Sequence, residues 1–313
     1  MRVIRHIDEI PENFSASCVT IGNFDGVHKG HQLLIERTRE KALSKGLASV
    51  VLTFEPHPLR VLTGKKTPPF ITVLEQKLQL LQAMNVDYCA VLPFTKELAA
   101  QSPEEFVRDF LVRDLKAKEL VIGYDYAFGK GRAGNYEMLC ALGQKYSFGV
   151  ERVGPYMYDS AVVSSTRIRD LVNKGQVWDA RPLLGRFYTV RGEIEHGANR
   201  GGRLLGFPTA NLRLVDELCP GLGVYAVWTT LNDVTRPGVA NIGYNPTFGN
   251  DAISVEVHIL DFDGDIYGDD LTVRFVQRLR SEKKFNGPQE LTEQIDKDIA
   301  LSRKILSSSE AQL

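Results

Sequence analysis

No apolar run in this 313-residue chain is long enough to span a bilayer, so the sequence predicts no membrane role. The formal net charge is only −1, which provides no electrostatic footprint for nucleic acid or a membrane surface. Cysteine is scarce. Cys18, Cys89, Cys140 and Cys219 lie far apart and form no C-x-x-C pair. This spacing argues against a disulfide framework or a zinc site and predicts reduced thiols in a cytoplasmic protein. The opening MRVIRHIDEIPENF carries acidic residues and no continuous apolar segment, unlike a secretory leader. Internal repeats and low-complexity tracts are also missing, apart from a short polar tail after Leu306.

Several familiar signatures fail on inspection. The basic loop at residues 128–134, FGKGRAG, lacks the Gly-Lys-Ser/Thr ending of a Walker A loop. Asp261, Asp263 and Asp265 look like a calcium loop, but Ile266 stands where glycine is needed and Thr272 where glutamate is needed. The segment is expected to be an Asp-Gly hairpin turn. Residues 221–226 loosely match a dinucleotide fingerprint, yet they lead into a β-branched and aromatic run rather than a helix. His28 and His31 have no third ligand nearby and do not form H-E-x-x-H, so a metal pair is a weak reading.

What is present is an ordinary globular composition, 43% apolar and 25% charged, with length for two domains. The first half alternates strand and helix patterns. Apolar runs at 18–21, 48–54, 88–92, 120–122 and 150–153 read as strands. Between them, 31–45 reads as a helix stopped by Gly46. Thr72-x-x-Glu75 predicts a capping box, and Ser102-Pro103-Glu104-Glu105 a stronger one. Such alternation predicts a parallel, doubly wound sheet. Around residues 181–185 the character changes. Short strands at 188–194, 223–231, 254–260 and 271–276 with frequent turn signals predict an all-β barrel or sandwich, followed by a helix opened by Pro288. The domain boundary is expected at 184, giving domains 1–184 and 185–313.

The first chemical constellation is residues 22–31, GNFDGVHKGH. A buried strand leads into a glycine-punctuated turn, and a helix begins near Gly30. Such a helix start offers unpaired N–H groups and positive potential, which suit phosphate. Imidazoles there would stabilise charge building on departing pyrophosphate during adenylyl or cytidylyl transfer. A purely structural pair that caps and packs is the competing reading. The second is Ser164-Ser165-Thr166-Arg167, a hydroxyl-rich helix start whose arginine fork suits phosphate oxygens. Hydroxyl capping alone would explain the same residues. In the β half, Thr209 and Asn211 alternate within GGRLLGFPTAN and can point oxygens to one face, as a magnesium shell requires. Glu256 and His258 share the face opposite the apolar residues of SVEVHI. That face is solvated in most sheets; if it lines a cleft, Glu256 is a candidate general base.

Together with TFEPHP, GYDYAFGKGRAG and NIGYNPTF, these motifs resemble the bifunctional bacterial riboflavin kinase/FMN adenylyltransferase (FAD synthetase) family, over residues 17–306. The resemblance implies a Rossmann-like α/β nucleotidyltransferase domain followed by a Greek-key β-barrel kinase domain with a C-terminal helix. The first would join FMN and ATP into FAD and pyrophosphate; the second would make FMN from riboflavin and ATP, with magnesium in both steps. His28, His31 and Arg167 match the ATP-phosphate contacts, with Gly22, Asn23, Phe24, Gly26, Gly30, Ser164, Ser165 and Thr166 around them. Gly202, Arg203, Gly206 and Pro208 match the kinase nucleotide loop, Thr209 and Asn211 the magnesium site, Glu256 the base, and Asp125 and Phe128 the flavin loop. Two positions depart: arginine is common where Ala127 stands, and aspartate is frequent where Asn135 stands. The competing functions are another nucleotidyltransferase, acting on a pantetheine or polyol phosphate beside an unrelated β domain, and a non-catalytic flavin- or nucleotide-binding regulator.

Overall fold

The computed structural model describes residues 1–64, 67–195, 207–244 and 253–312. The chain divides into two compact units, Met1–Pro68 with Thr72–Ser164, and Pro69–Ile71 with Ser165–Leu313.

The first unit contains β1 (Arg2–Ile4), β2 (Ser17–Ile21), α1 (Lys29–Lys45), β3 (Ala48–Glu55), α2 (Pro58–Thr63), α3 (Leu74–Ala83), β4 (Tyr88–Pro93), α4 (Lys96–Ala100), α5 (Pro103–Phe106), β5 (Ala117–Gly123), α6 (Tyr136–Tyr146) and β6 (Gly149–Val153), then a small hairpin of β7 (Met157–Tyr158) and β8 (Ala161–Val162). The six long strands form one parallel sheet in the order β1-β4-β3-β2-β5-β6. From β2 the chain winds outward through β3 and β4, then returns to place β5 on the other side of β2. The carboxyl ends of β2 and β5 therefore flank the topological switch point, where α/β sheets bind ligands. Val50 and Leu52 pack into one core layer and Val51 into the other, so both sheet faces are covered.

Local sequence explains most helix boundaries. Gly46 ends α1 at φ 62°, and its N–H bonds the carbonyls of Ala42 and Leu43. Ser102 and Glu105 form the reciprocal capping box expected from their spacing. The helix they open continues through Val107–Asp114 in a wider turn, with Leu115 N–H bonded to the Phe110 carbonyl. Thr72 departs from expectation. Helix α3 begins two residues later, with Val73 at its cap and no side-chain cap bond. Thr72 is engaged elsewhere: its Oγ1 accepts from Gly26 N–H at 3.0 Å, and its N–H donates to Asp25 Oδ1 at 3.1 Å. Tertiary bonds to residues 25–26 took the donor and acceptor that a capping box would have used.

The second unit contains α7 (Ser165–Asn173), α8 (Val177–Leu184), β9 (Tyr188–Glu195), β10 (Ala210–Arg213), β11 (Gly223–Leu231), β12 (Val234–Tyr244), β13 (Ile253–Ile259), β14 (Asp270–Arg280) and α9 (Pro288–Leu306). Its strands close an antiparallel barrel in the order β10-β13-β12-β11-β14-β9. β11, β12 and β13 follow as hairpins, and β14 returns beside β11, which is a Greek key. Asn232 and Asp233 both take positive φ, 47° and 61°, in the tight turn between β11 and β12. The Asp-Gly segment at 261–265 is not the hairpin turn expected: β13 and β14 are not neighbours, so this segment belongs to the long Greek-key return. Asp261 there is held by Arg303 of α9 through two 2.8 Å contacts. Helix α9 packs on the barrel through Leu306, through Ser302 Oγ to the Gly238 carbonyl at 3.0 Å, and through buried Asp298, paired with Arg280 at 2.8 Å.

The compact division falls between Ser164 and Ser165, earlier than the boundary expected at 184. Helix α8 buries Val177, Ala180, Leu183 and Leu184, and it packs on α7, β14 and β9. The compositional change at 181–185 thus marks the first barrel strand, while the apolar faces of α7 and α8 need the barrel side for cover. Pro69–Ile71 joins this unit because Phe70 pairs with Glu217, its N–H bonding Asp216 O at 2.9 Å.

Candidate active sites

In the first unit, fully buried β2 delivers the chain to the switch point at Gly22, whose N–H still bonds Leu52 O at 3.1 Å. The turn that follows is strained. Phe24 and Val27 have φ of 48° and 38°, and Gly26 has 85°. For β-branched Val27 this is an unfavourable conformation, of the kind retained where geometry is functional. The turn is tied down by the Thr72 bonds, by Gln32 Nε2 to the Val27 carbonyl at 2.9 Å and by Thr53 Oγ1 to the Asn23 carbonyl at 3.3 Å.

His28 caps α1, its Nδ1 accepting from His31 N–H at 3.3 Å. An accepting Nδ1 leaves the ring hydrogen on Nε2. The His28 and His31 rings stack at 3.6 Å and 17°, with Phe24 edge-on to His31 at 5.3 Å. Gly22 and Gly30 make room: a Cβ would lie 3.2 Å from the Phe24 ring at Gly22 and 3.2 Å from the His28 ring at Gly30. His28 is buried. His31 keeps part of its surface open, but its Nδ1 is sealed from solvent without a hydrogen-bond partner. Burial first, then electrostatic opposition from the neighbouring His28 ring and from Lys77, holds the His31 imidazole well below its ordinary pKa. Both rings therefore sit at the first turn of a 17-residue helix, and His31 is uncharged at neutral pH. Such a group stabilises phosphate oxygens as a hydrogen-bond donor rather than as a cation.

Ser164 ends the first unit, while Ser165, Thr166 and Arg167 open α7 in the second. Ile168 is buried beneath them, and Arg167 is half-buried. Asp125 is exposed just beyond β5. Phe128 is buried in the core layer, stacked on Tyr126 at 5.5 Å and 14° and exchanging backbone bonds with Gly134. Asn135 caps α6, accepting from Met138 N–H at 2.9 Å, a task aspartate performs equally well.

In the barrel, Asn211 on β10 lies directly opposite Glu256 on β13, and Glu256 lies opposite Asn241 on β12. Asn211 also faces Glu195 on β9. Four polar residues thus form one row across four strands. Their chain neighbours Ala210, Leu212, Val255, Val257, Ala240 and Ile242 are buried on the opposite face. Glu256 is half-buried, has no hydrogen-bond partner among the described residues, and its carboxyl pKa is raised by burial. A desolvated, unpaired carboxylate in a polar row is arranged as a proton acceptor. His258 Nδ1 lies 2.8 Å from the Pro208 carbonyl, which can only accept, so that nitrogen carries the hydrogen. Its ring also meets Phe207 edge-on at 5.8 Å. His258 thereby anchors the strand entrance that carries half-buried Thr209. Gly202, Arg203 and Gly206 lie outside the described residues, as do Asn245, Pro246, Thr247 and Phe248 of NIGYNPTF.

No group of three or more His, Cys, Asp or Glu among the described residues could cage a metal. The donor set at Thr209 and Asn211 is neutral oxygen with Glu256 alongside. That suits magnesium, which keeps waters and substrate phosphates as ligands rather than an all-protein cage. No described helix is long and apolar enough to cross a membrane.

Residues 10–167 match the FAD synthetase family and residues 184–306 the riboflavin kinase family. A bifunctional riboflavin kinase/FMN adenylyltransferase from Listeria monocytogenes is 42% identical over 286 residues, covering 90% of this chain and 89% of its own. One of the same description from Escherichia coli is 36% identical over 306 residues, covering 97% of each chain. The chain belongs to the bifunctional riboflavin kinase/FMN adenylyltransferase family. A solved Streptococcus pneumoniae structure, described as a macrolide-efflux protein, has the same fold, with 32% identity, a TM-score of 0.86 and coverage of 96% and 98%.

The match of both family halves removes the alternative of an unrelated β domain. In this riboflavin kinase/FMN adenylyltransferase, Asn241 opens NIGYNPTF and joins the row opposite Glu256, with no local signal that marks it out. Its place in the Glu256 row depends on strand register, which no local pattern gives.

Proposed function

We propose that residues 185–313 phosphorylate riboflavin and residues 1–184 adenylylate the resulting FMN, each step using ATP and magnesium in the cytoplasm. The observation that carries the kinase assignment is Glu256, desolvated and directly opposite Asn211. Glu256 takes the proton of the terminal ribityl hydroxyl as that oxygen bonds to the γ-phosphorus. The bond from γ-phosphorus to the bridging oxygen breaks, and ADP leaves with its electron pair. Thr209 and Asn211 would hold the magnesium, which when bound would neutralise charge on the transferring phosphoryl group. His258 fixes Pro208 and so the approach to Thr209. Gly202, Arg203 and Gly206 complete the nucleotide loop.

In the other half, an FMN phosphate oxygen bonds to the α-phosphorus of ATP while the bond to the bridging oxygen breaks and pyrophosphate departs. His28 and His31 donate to the phosphates from the first turn of α1, with Gly22, Asn23, Phe24, Gly26 and Gly30 shaping the cradle. Ser164, Ser165, Thr166 and Arg167 supply further phosphate contacts. Asp125 and Phe128 belong to the flavin side; Phe128 acts from within the aromatic core layer, as a wall rather than a free stacking ring.

The test is chromatographic separation of flavins after incubation with riboflavin, ATP and magnesium. FMN and FAD both form from the wild type. Glu256→Ala abolishes FMN formation and leaves conversion of supplied FMN to FAD, whereas His31→Ala does the reverse. FMN formation by Glu256→Ala would overturn the base assignment.

A further inference from the structure

Lys77 lies on α3 between Leu74 and Leu81, on the face that packs against Phe24, Val27, Ile35 and Val51. It is 5% exposed, and its ammonium has no hydrogen bond or ion pair among the described residues. A lysine so placed is costly, because burial of the side chain removes most of its hydration and no ion pair replaces it. Burial lowers its pKa, while the charges of Asp25 and Glu55 oppose that shift from beyond ion-pair distance. The helix start is fixed to the phosphate-binding turn through Thr72, bonded to both Asp25 and Gly26. Lys77 also lies close enough to His31 for its charge to disfavour a second one on the imidazole.

The cradle at residues 22–31 has donors but lacks formal charge at His31, whereas a triphosphate brings several negative charges. A largely buried lysine near that imidazole, with no ion pair among the described residues and its ammonium not sealed from solvent, supplies the missing positive charge. We infer that Lys77 is a further substrate-contacting residue of the adenylyltransferase site, its ammonium meeting the departing pyrophosphate portion of ATP beside His31. This rests on reading residues 22–31 as the ATP-phosphate cradle. The lysine supports the leaving group as the bond to the α-phosphorus breaks, and no proton changes hands.

The competing explanation is a structural counter-charge for Asp25. Lys77→Met and Lys77→Arg separate the two, compared with wild type by thermal melting, by FAD formation from FMN, ATP and magnesium, and by calorimetric titration with pyrophosphate. The Met variant is expected to lose about a hundredfold in kcat/KM for ATP. It should bind pyrophosphate at least tenfold more weakly, phosphorylate riboflavin at the wild-type rate, and be partly rescued by arginine. A Met variant that melts lower yet makes FAD and binds pyrophosphate as wild type does overturns the inference. Should it fail to fold, lysine-labelled wild type decides: the side-chain resonance missing from Lys77→Arg must shift on adding pyrophosphate, and an unmoved resonance overturns the assignment. A wild type that forms no FAD overturns the cradle reading beneath it.

Discussion

Glu256 on β13 stands directly opposite Asn211 on β10. Opposed residues in an antiparallel ladder have Cβ atoms about 5 Å apart, close enough for one small group to bridge them. A carboxylate and an amide at that spacing, neither on the buried face, have the geometry the proposed kinase site needs to hold a hydroxyl beside a metal-bound phosphate. Replacing Glu256 with Gln keeps the shape and removes the base. Riboflavin phosphorylation should fall by about a hundredfold to ten-thousandfold. Conversion of FMN to FAD should be unchanged, as separate flavin assays would reveal. An equal fall in both rates would place the damage in folding instead.

The same carboxyl group makes a prediction about stability. Burial raises its folded pKa above the ordinary value of 4.5, so the folded state favours the protonated form. Its favourable contribution is full below the unfolded pKa and is lost as pH rises through the folded one. At neutral pH the ionised carboxylate therefore burdens the fold. Glu256→Gln should melt higher than wild type near pH 7, with the gain closing toward about pH 4. Scanning calorimetry across that range measures it, and a gain that grows on acidification would contradict the burial argument.

His31 predicts a flat profile where a free imidazole would titrate. With its pKa held well below the ordinary value by burial, FAD formation should not follow an imidazole ionisation between about pH 6 and 7. His31→Ala should cost about a hundredfold to a thousandfold in FAD formation and nothing in riboflavin phosphorylation. Initial rates across pH for both reactions test this. A step near the free-imidazole pKa that disappears in the variant would mean that His31 acts charged.

Legibility in the sequence followed the range of the forces involved. The Ser102 box, the Gly46 stop and the strand leading into Gly22 are set by neighbours within a few residues, and each was readable there. The alternation of Glu256 and His258 against Val255, Val257 and Ile259 was also readable, but whether that face met water or a cleft depended on Asn211 and Asn241 from other strands. Thr72 carried a good local capping signal and was recruited across the fold by Asp25 and Gly26. The segment at 261–265 had hairpin chemistry in a place where topology required a crossing. Phe128 read as a loop residue and proved to be core. Lys77 interrupts an apolar helix face, a visible signal whose meaning required knowing which helix face met the histidine turn.

His258 is expected to act on binding more than on turnover. Its Nδ1–H holds the Pro208 carbonyl, one residue before Thr209. Removing one such bond costs about 1 kcal/mol, so His258→Ala should raise the kinase KM for magnesium-ATP about fivefold. Its kcat should stay near wild type because Glu256 is untouched. Steady-state kinetics with ATP varied at saturating riboflavin separates the two constants. A lowered kcat at unchanged KM would assign His258 a part in the chemical step itself.

Gly30 separates stability from activity within one substitution. It lies in the first turn of α1, with no positive φ to demand glycine. On helix propensity alone, alanine would be favoured there by about 1 kcal/mol. Yet an added Cβ would lie 3.2 Å from His28 Cε1, 3.3 Å from His28 Nδ1 and 3.6 Å from the Val163 carbonyl. The ring must yield by a few tenths of an ångström, and it is stacked at 3.6 Å on His31, so the pair moves together. Gly30→Ala should therefore melt no lower than wild type while FAD formation drops at least tenfold, a loss of about 1.4 kcal/mol in transition-state stabilisation. Melting and rate measured on the same preparation test the claim. Full activity with unchanged melting would mean that the histidine stack can shift without consequence for the reaction.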